Sequence, residues 1–189
     1  MKPQMLLFPW IELLVCWAAW LYPFVLRAPH NQKRPSITVA GPTHLGLLLE
    51  CIAIALALNI RMPDSSPRPL ARVVASLVCA VPGIILGWSA VTHLGRQFRI
   101  RAGLYEDHEL VRTGPYAVVR HPIYASLLAM LLCTLLLLTP WPWALVSIAI
   151  FVTGTEIRVH TEDRLLESRF GEAFHEYRRQ VPAYVPFVR

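Results

Sequence analysis

Val111-Arg112-Thr113-Gly114-Pro115-Tyr116-Ala117-Val118-Val119-Arg120-His121-Pro122-Ile123-Tyr124-Ala125-Ser126 is the stretch from which the chain is read. Pro122 has a fixed φ and no backbone N–H, which suits the first turn of a helix, and it pushes His121 away from helical geometry. A helix is therefore predicted to begin here and to run through the apolar residues 123–139. Arg120 and His121 stand at its N-terminal end, where unsatisfied N–H groups favour an anionic group. Gly114-Pro115 bends the chain just upstream, so the backbone can pass close to a ligand. A basic interfacial loop ahead of a membrane helix would use the same residue types.

Outward from this stretch, the 189 residues are 55% hydrophobic, with a mean hydropathy of +0.46. That is too apolar for an ordinary soluble domain, and the apolar residues fall in long blocks. Residues 5–26 and 70–94 can each cross a hydrocarbon core of about 30 Å. Residues 44–60 form a shorter block. Residues 123–139 and 141 to about 158 are separated by Pro140 in Thr139-Pro140-Trp141-Pro142-Trp143. This reads as a tight turn at the bilayer surface, with Trp141 and Trp143 as interfacial anchors. Five crossings are predicted. The apolar run in residues 5–26 is too long for a cleaved signal peptide, and no small-residue cleavage site precedes Tyr22-Pro23.

The net charge of +6 is unevenly placed. With five crossings, Arg27, Lys33, Arg34, Arg96, Arg99, Arg101, Arg112, Arg120 and everything after the last crossing share one side. The other side receives Lys2, Arg61, Arg68 and Arg72. The positive-inside rule makes the first side cytoplasmic and places the N-terminus outside. No aromatic-interleaved basic patch or DNA-binding motif is present, so the partners are membrane lipids with anionic headgroups and not nucleic acid. Cys16, Cys51, Cys79 and Cys133 all lie in apolar segments without short mutual spacing, which supports neither a disulfide framework nor a metal site. Glu12 and Glu50 are carboxylates inside apolar segments. Each is either a functional group or a hydrogen-bonded helix carboxylate.

Residues 96–119 leave the membrane, and the acidic run through Glu106, Asp107 and Glu109 reads as a solvated face. His108 differs in leading directly into Leu110-Val111 and the Gly-Pro bend. After Pro140, helical spacing outlasts the apolar content and continues through Leu166. Arg158 with Glu162, and Glu156 with His160, share faces at i,i+4. Gly171 breaks this helix. Residues 172–180 then form an amphipathic helix at the headgroup level, with Phe170, Phe174 and Tyr177 on its apolar side, and a proline-containing strap follows.

Two blocks, from His108 to Tyr124 and from Arg158 to Pro186, resemble the isoprenylcysteine carboxyl methyltransferase family and its phospholipid methyltransferase relatives. The first carries Gly114-Pro115-Tyr116 and Arg120-His121-Pro122-x-Tyr124. The second carries Arg158, Glu162-Asp163, Leu165-Leu166, Phe170-Gly171, Phe174, Tyr177, Val181-Pro182 and Pro186. The chain departs from the pattern at Ser126, where the family usually has Gly, and at Asp163, where it usually has a second Glu. Length and the long apolar blocks predict one all-α membrane domain over residues 1–189, and the two blocks cover about its last 80 residues. Residues 1–95 would be N-terminal transmembrane helices. Residues 96–189 would be a catalytic half whose helical hairpin extends into a cytoplasmic cofactor-binding region.

The family implies S-adenosyl-L-methionine as methyl donor, held by His108, Leu110, Val111, Gly114, Pro115, Tyr116, Arg120, His121, Pro122, Tyr124 and Glu162. The donor's carboxylate suits Arg120, His121 and the helix N-terminus, and its ammonium suits Glu162. Tyr116 and Tyr124 suit the adenine or the sulfonium. Arg158 is the candidate for orienting an acceptor carboxylate, and Glu162 or Asp163 for deprotonating an acceptor amine. The acceptor would be a lipidic or prenylated small molecule that reaches the site sideways from the bilayer. Alternatives are phospholipid N-methylation, an NADPH-dependent reductase of the sterol reductase type, whose C-terminal region this chain also resembles, and a membrane scaffold without activity.

Overall fold

The computed structural model describes residues 4–26, 36–38, 42–63, 69–98, 103–105 and 109–186, with six α-helices among them. These are α1 (Gln4–Leu26), α2 (Thr43–Asn59), α3 (Leu70–Leu94), α4 (Pro122–Leu138), α5 (Trp141–Phe170) and α6 (Glu172–Gln180). The helices begin where their sequences require. Pro122 takes the first turn of α4, with His121 at φ −123° and ψ 64° ahead of it. Pro140 opens α5 directly after α4, so the two form the predicted hairpin. Gly171, at φ +51°, ends α5 and starts α6.

One element departs from a purely helical reading. The connection between α1 and α2 holds the short strand β1 (Ser36–Thr38), paired antiparallel with β2 (Gly103–Tyr105). The β-branched Ile37 and Thr38 suit such a ladder.

Among the described residues, three helices are long and apolar enough to cross a membrane: Phe8–Leu26 within α1, α3, and α5. At 17 residues each, α2 and α4 are shorter apolar helices. At 1.5 Å per residue they span about 25 Å, below a typical hydrocarbon core. Leu14, Val25, Val78, Ile85 and Leu145 point outward and are exposed. Such faces are stable against lipid and a liability in water. The chain is a multi-pass membrane protein.

The helices pack through small residues. Ala80, Gly83, Gly87 and Ala90 make the buried face of α3, where a Cβ at Gly83 would lie 2.8 Å from Ala129 of α4. A Cβ at Gly46 of α2 would meet the Gly154 carbonyl of α5 at 2.6 Å, and one at Gly154 would meet the Gly46 carbonyl at the same distance. Backbone therefore lies almost on backbone at this crossing, as small residues permit in membranes. α1 packs on α3 and α4 around Leu13, Cys16, Trp20, Met130 and Cys133, while α2 packs on α4 and α5 around Ala53, Ala57, Leu131 and Phe151. At the far end Arg72 of α3 donates to the carbonyls of Leu136 (2.6 Å) and Thr139 (2.9 Å). This guanidinium satisfies acceptors that the end of α4 leaves without helical partners.

Contacts between neighbours show which ends lie together. On α1 and α3, Glu12 meets Ser76 and Ala19 meets Trp88, so these two helices run parallel. Ala53 of α2 meets Ser147 of α5, and Glu50 meets Thr155, so that pair is antiparallel. The ends of α1, α3 and α5 and the starts of α2 and α4 are thus gathered on one side.

Candidate functional site

On that side the loop before α4 is shaped by one glycine. Gly114 has φ +59°, and a Cβ on it would fall on the His93 ring of α3, so no other residue fits both the conformation and the space. A short 3₁₀ turn follows (Gly114–Ala117) and buries Pro115 and Tyr116. The loop is tied from behind by the C-terminal segment. Arg120 N–H donates to the Pro182 carbonyl at 2.8 Å and His121 N–H to that of Ala183 at 2.7 Å. Tyr177 of α6 donates its hydroxyl to the Tyr116 carbonyl at 2.6 Å, and burial raises its pKa.

Loop and α5 meet in a charge cluster. His121 Nε2 lies 2.9 Å from Asp163 Oδ1, and its Nδ1 is 3.5 Å from Glu162 Oε2. Burial opposes a charge on this imidazole, but the hydrogen bonds to Asp163 and Glu162 outweigh it and raise its pKa to about 9. His121 is therefore a cation at neutral pH, with both ring nitrogens donating. Arg120 Nη2 donates to Asp163 Oδ2 at 3.0 Å, and Nη1 donates to the Val181 carbonyl. Tyr124 donates its hydroxyl to Glu162.

A second pair lies deeper. Arg158 of α5 donates to Glu50 Oε2 of α2 at 2.7 Å, and its guanidinium sits 4.8 Å from the centre of the Tyr124 ring. Thr155 donates to the other oxygen of Glu50 at 3.1 Å. Glu50 is 1% exposed. Buried charges of this kind persist only when paired and hydrogen-bonded. With His121 protonated, Glu50, Glu162 and Asp163 are balanced by Arg120, His121 and Arg158.

A cavity of about 530 Å³ joins the two pairs, a size suited to a small-molecule site. Leu110, Val111, Tyr116, Arg120, His121, Pro122, Tyr124, Arg158 and Glu162 line it, as do Glu50, Leu47 and Ile54 of α2 and Trp17, Trp20 and Phe24 of α1. Gln97 and Tyr177 also face it. Two buried polar atoms on lining residues, Gln97 Oε1 and Arg120 Nε, have no hydrogen-bond partner among the described residues. Among the described residues, no group of three or more His, Cys, Asp or Glu side chains is arranged for a metal ion.

The structure thus brings most of the sequence-derived residues to one cavity. Gly114 and Pro115 stand outside its lining and shape the loop. Asp163 also stands outside it, bonded to Arg120 and His121. His108 lies outside the described residues. Sequence reasoning left Glu50 open, although a lone carboxylate in an apolar run implies a buried cation, and Arg158 was available. It missed Trp17, Trp20 and Gln97, whose side chains carry no pattern separable from ordinary membrane-helix or loop residues.

Residues 76–168, just under half of the chain, match the model of the Isoprenylcysteine carboxyl methyltransferase (ICMT) family. The chain is 32% identical over 108 residues to a Protein-S-isoprenylcysteine O-methyltransferase of Schizosaccharomyces pombe, covering 56% of this chain and 46% of that protein. It is 33% identical over 115 residues to Protein-S-isoprenylcysteine O-methyltransferase B of Arabidopsis thaliana, covering 59% of this chain and 58% of that one. It is also 35% identical over 82 residues to the Cobalt-zinc-cadmium resistance protein CzcN of Cupriavidus metallidurans, covering 43% of this chain and 37% of that one. The chain spans about half the length of the curated relatives it matches.

Proposed function

We propose that this chain is an integral membrane methyltransferase that moves the methyl group of S-adenosyl-L-methionine to the carboxylate of an isoprenylcysteine-like lipid, in keeping with the match over residues 76–168. The observation that carries the reading is one cavity with two chemistries. Charged side chains, Arg120, His121 and Glu162 together with the Arg158–Glu50 pair, form one part of its wall, and most of the remainder is hydrocarbon and aromatic.

The residues present fit the donor. Arg120 Nε is a buried donor without a partner among the described residues, on a side chain that lines the cavity, and it suits the donor's carboxylate. Gln97 Oε1 is an acceptor in the same condition, suited to a ribose hydroxyl or an adenine amino group. Glu162, held by His121 and Tyr124, is a fixed carboxylate for the ammonium. Tyr116 and Tyr124 offer aromatic surface to a sulfonium. When bound, the donor supplies a methyl carbon already activated by the adjacent sulfonium.

The chain's own task is alignment and exclusion of water. Arg158 orients the acceptor carboxylate, and Glu50 and the Tyr124 ring hold the guanidinium while it does so. An ionised carboxylate needs no general base. Tyr124 touches Glu162 through its hydroxyl and Arg158 through its ring, so one side chain fixes the spacing between donor and acceptor sites. The Pro182–Ala183 strap and α6 cover the loop and keep water out. The balanced cluster, the donor's single net positive charge and the acceptor's negative charge together sum to neutrality, which a low-dielectric site favours.

The alternating helix ends support five crossings, with α2 and α4 as short spans. The distribution of Lys and Arg supports a cytoplasmic site and an outside N-terminus. One observation favours a second reading, phospholipid N-methylation: Glu50 lines the cavity beside Arg158 and would suit a cationic headgroup. Glu162 would then be the base, since Asp163 is bonded to two cations away from the lining.

The deciding experiment is transfer of labelled methyl from the donor to N-acylated farnesylcysteine and to phosphatidylethanolamine by the purified protein in nanodiscs. A base-labile ester on the first is the expected product. A stable amine on the second replaces this reading with N-methylation. Calorimetry that shows binding of NADPH and none of S-adenosylmethionine replaces it with the reductase. Binding of neither cofactor leaves the scaffold.

A further inference from the structure

The α1 wall of the cavity is aromatic, and its position is fixed from behind. Trp20 lines the cavity but is only 7% exposed. Its indole N–H donates to Ser126 Oγ of α4 at 3.1 Å, and Ser126 donates in turn to the Ile123 carbonyl at 2.7 Å. A Cβ at Gly87 of α3 would lie 2.9 Å from Trp20 Nε1 and 3.2 Å from Cδ1. Trp17 is pinned in the same way, its N–H donating to Thr134 Oγ1 at 3.1 Å. Phe24 packs on Trp20 with ring centres 4.4 Å apart.

Both indole donors are spent on α4, so this wall offers the cavity hydrocarbon and π surface only. A buried Trp held by a hydrogen bond and packed against backbone cannot retreat to admit a longer ligand, as a Met could. The chain's departure from Gly at position 126 thereby has a partner. Ser126 is the acceptor for an indole on a helix outside the segment matched to the family.

We propose that Trp20, held at a fixed depth by Ser126 and Gly87, sets the length of lipid chain that the cavity accepts. The inference rests on the lipidic-acceptor reading above. The chain of the acceptor lies against Trp20, and each added carbon strengthens binding until the terminal carbons reach the indole. Beyond that length further carbons gain nothing. Replacing the indole by a methyl moves the stop outward. Adding a methyl at Gly87 pushes the indole into the cavity and moves the stop inward.

The test is calorimetric binding of an S-alkyl-cysteine series to wild type, Trp20→Ala and Gly87→Ala in nanodiscs, with no methyl transfer required. In wild type, affinity rises severalfold per carbon and then levels. In Trp20→Ala the levelling moves to longer chains, so that a carbon unit without effect on wild type raises affinity about tenfold. In Gly87→Ala it moves to shorter chains. Should Trp20→Ala fail to fold, Trp20→Phe gives the same direction in smaller amount, and Gly87→Ala gives the opposite one. A levelling point shared by all folded variants overturns the inference and leaves the acceptor reading intact. Binding of no chain length, with methyl transfer to another acceptor, overturns both.

Discussion

Replacing Glu50 by Ala removes the partner of a guanidinium that is itself 8% exposed. The lost contact is a 2.7 Å charge-assisted hydrogen bond, and Arg158 keeps the Tyr124 ring beside it but loses its nearest carboxylate. Breaking a buried ion pair from one side costs about 3–5 kcal/mol, chiefly because an uncompensated charge is left inside. At roughly 2–4 °C per kcal/mol for a chain of this size, Tm falls by about 6–20 °C. Catalysis should suffer differently. Arg158 loses one charge-assisted bond that fixes its direction, about 1.5–3 kcal/mol, so kcat/KM for the acceptor falls roughly ten- to a hundredfold. Donor affinity changes little, because Glu162, His121 and Arg120 are untouched.

Glu50→Gln preserves the shape and an acceptor for Thr155, and should recover most of the stability but only part of the rate. Glu50→Ala with Arg158→Leu should be more stable than Glu50→Ala alone, since it also removes the buried cation that has lost its nearest carboxylate. The assays are thermal melting in nanodiscs, calorimetric donor Kd, and acceptor kinetics. Melting of Glu50→Ala within about 2 °C of wild type, or additive losses in the double variant, would refute the account of the buried Glu50–Arg158 pair.

Three further outcomes are expected. The His121 pKa is raised from 6.5 to about 9 in the folded chain. Its contribution to stability is therefore full below about pH 6.5 and is lost as pH rises through about 9, so Tm falls across that window in wild type and less in His121→Asn. Tyr177→Phe leaves the Tyr116 carbonyl buried without its 2.6 Å donor; this should cost about 1–3 kcal/mol and loosen the loop, read as a several-fold rise in donor Kd by calorimetry. Gly46→Ala drives a methyl into the Gly154 carbonyl and the Arg158 side chain. Thermal melting should show a loss of about 1–3 kcal/mol, with acceptor kinetics more affected than donor Kd.

The helix limits and the hairpin at Pro140 were legible because proline, glycine and long apolar runs act locally, each on its own few residues. The convergence of His121, Tyr124 and Glu162 was legible only through the resemblance, since nothing in residue order brings position 121 to 162. The partners of the charges were not legible. Arg120 and His121 read as groups waiting for an anion, yet Asp163 supplies that anion from within. Arg158 reads as a partner for Glu162 one helical turn away, and it reaches across a helix crossing to Glu50. That crossing depends on Gly46 and Gly154, two unremarkable glycines whose meaning is the distance between two backbones. The β1–β2 ladder also escaped, because three residues carry too little alternation to signal a strand.

The strap at Pro182 and Ala183 comes later in the chain than all six helices, yet it holds the backbone of Arg120 and His121. During synthesis the helices can therefore enter the bilayer while the charged loop still lacks its clasp. A polypeptide halted after α5 would hold every long helix and the Asp163 contacts to Arg120 and His121, while the backbone N–H groups of those two residues still waited for their acceptors.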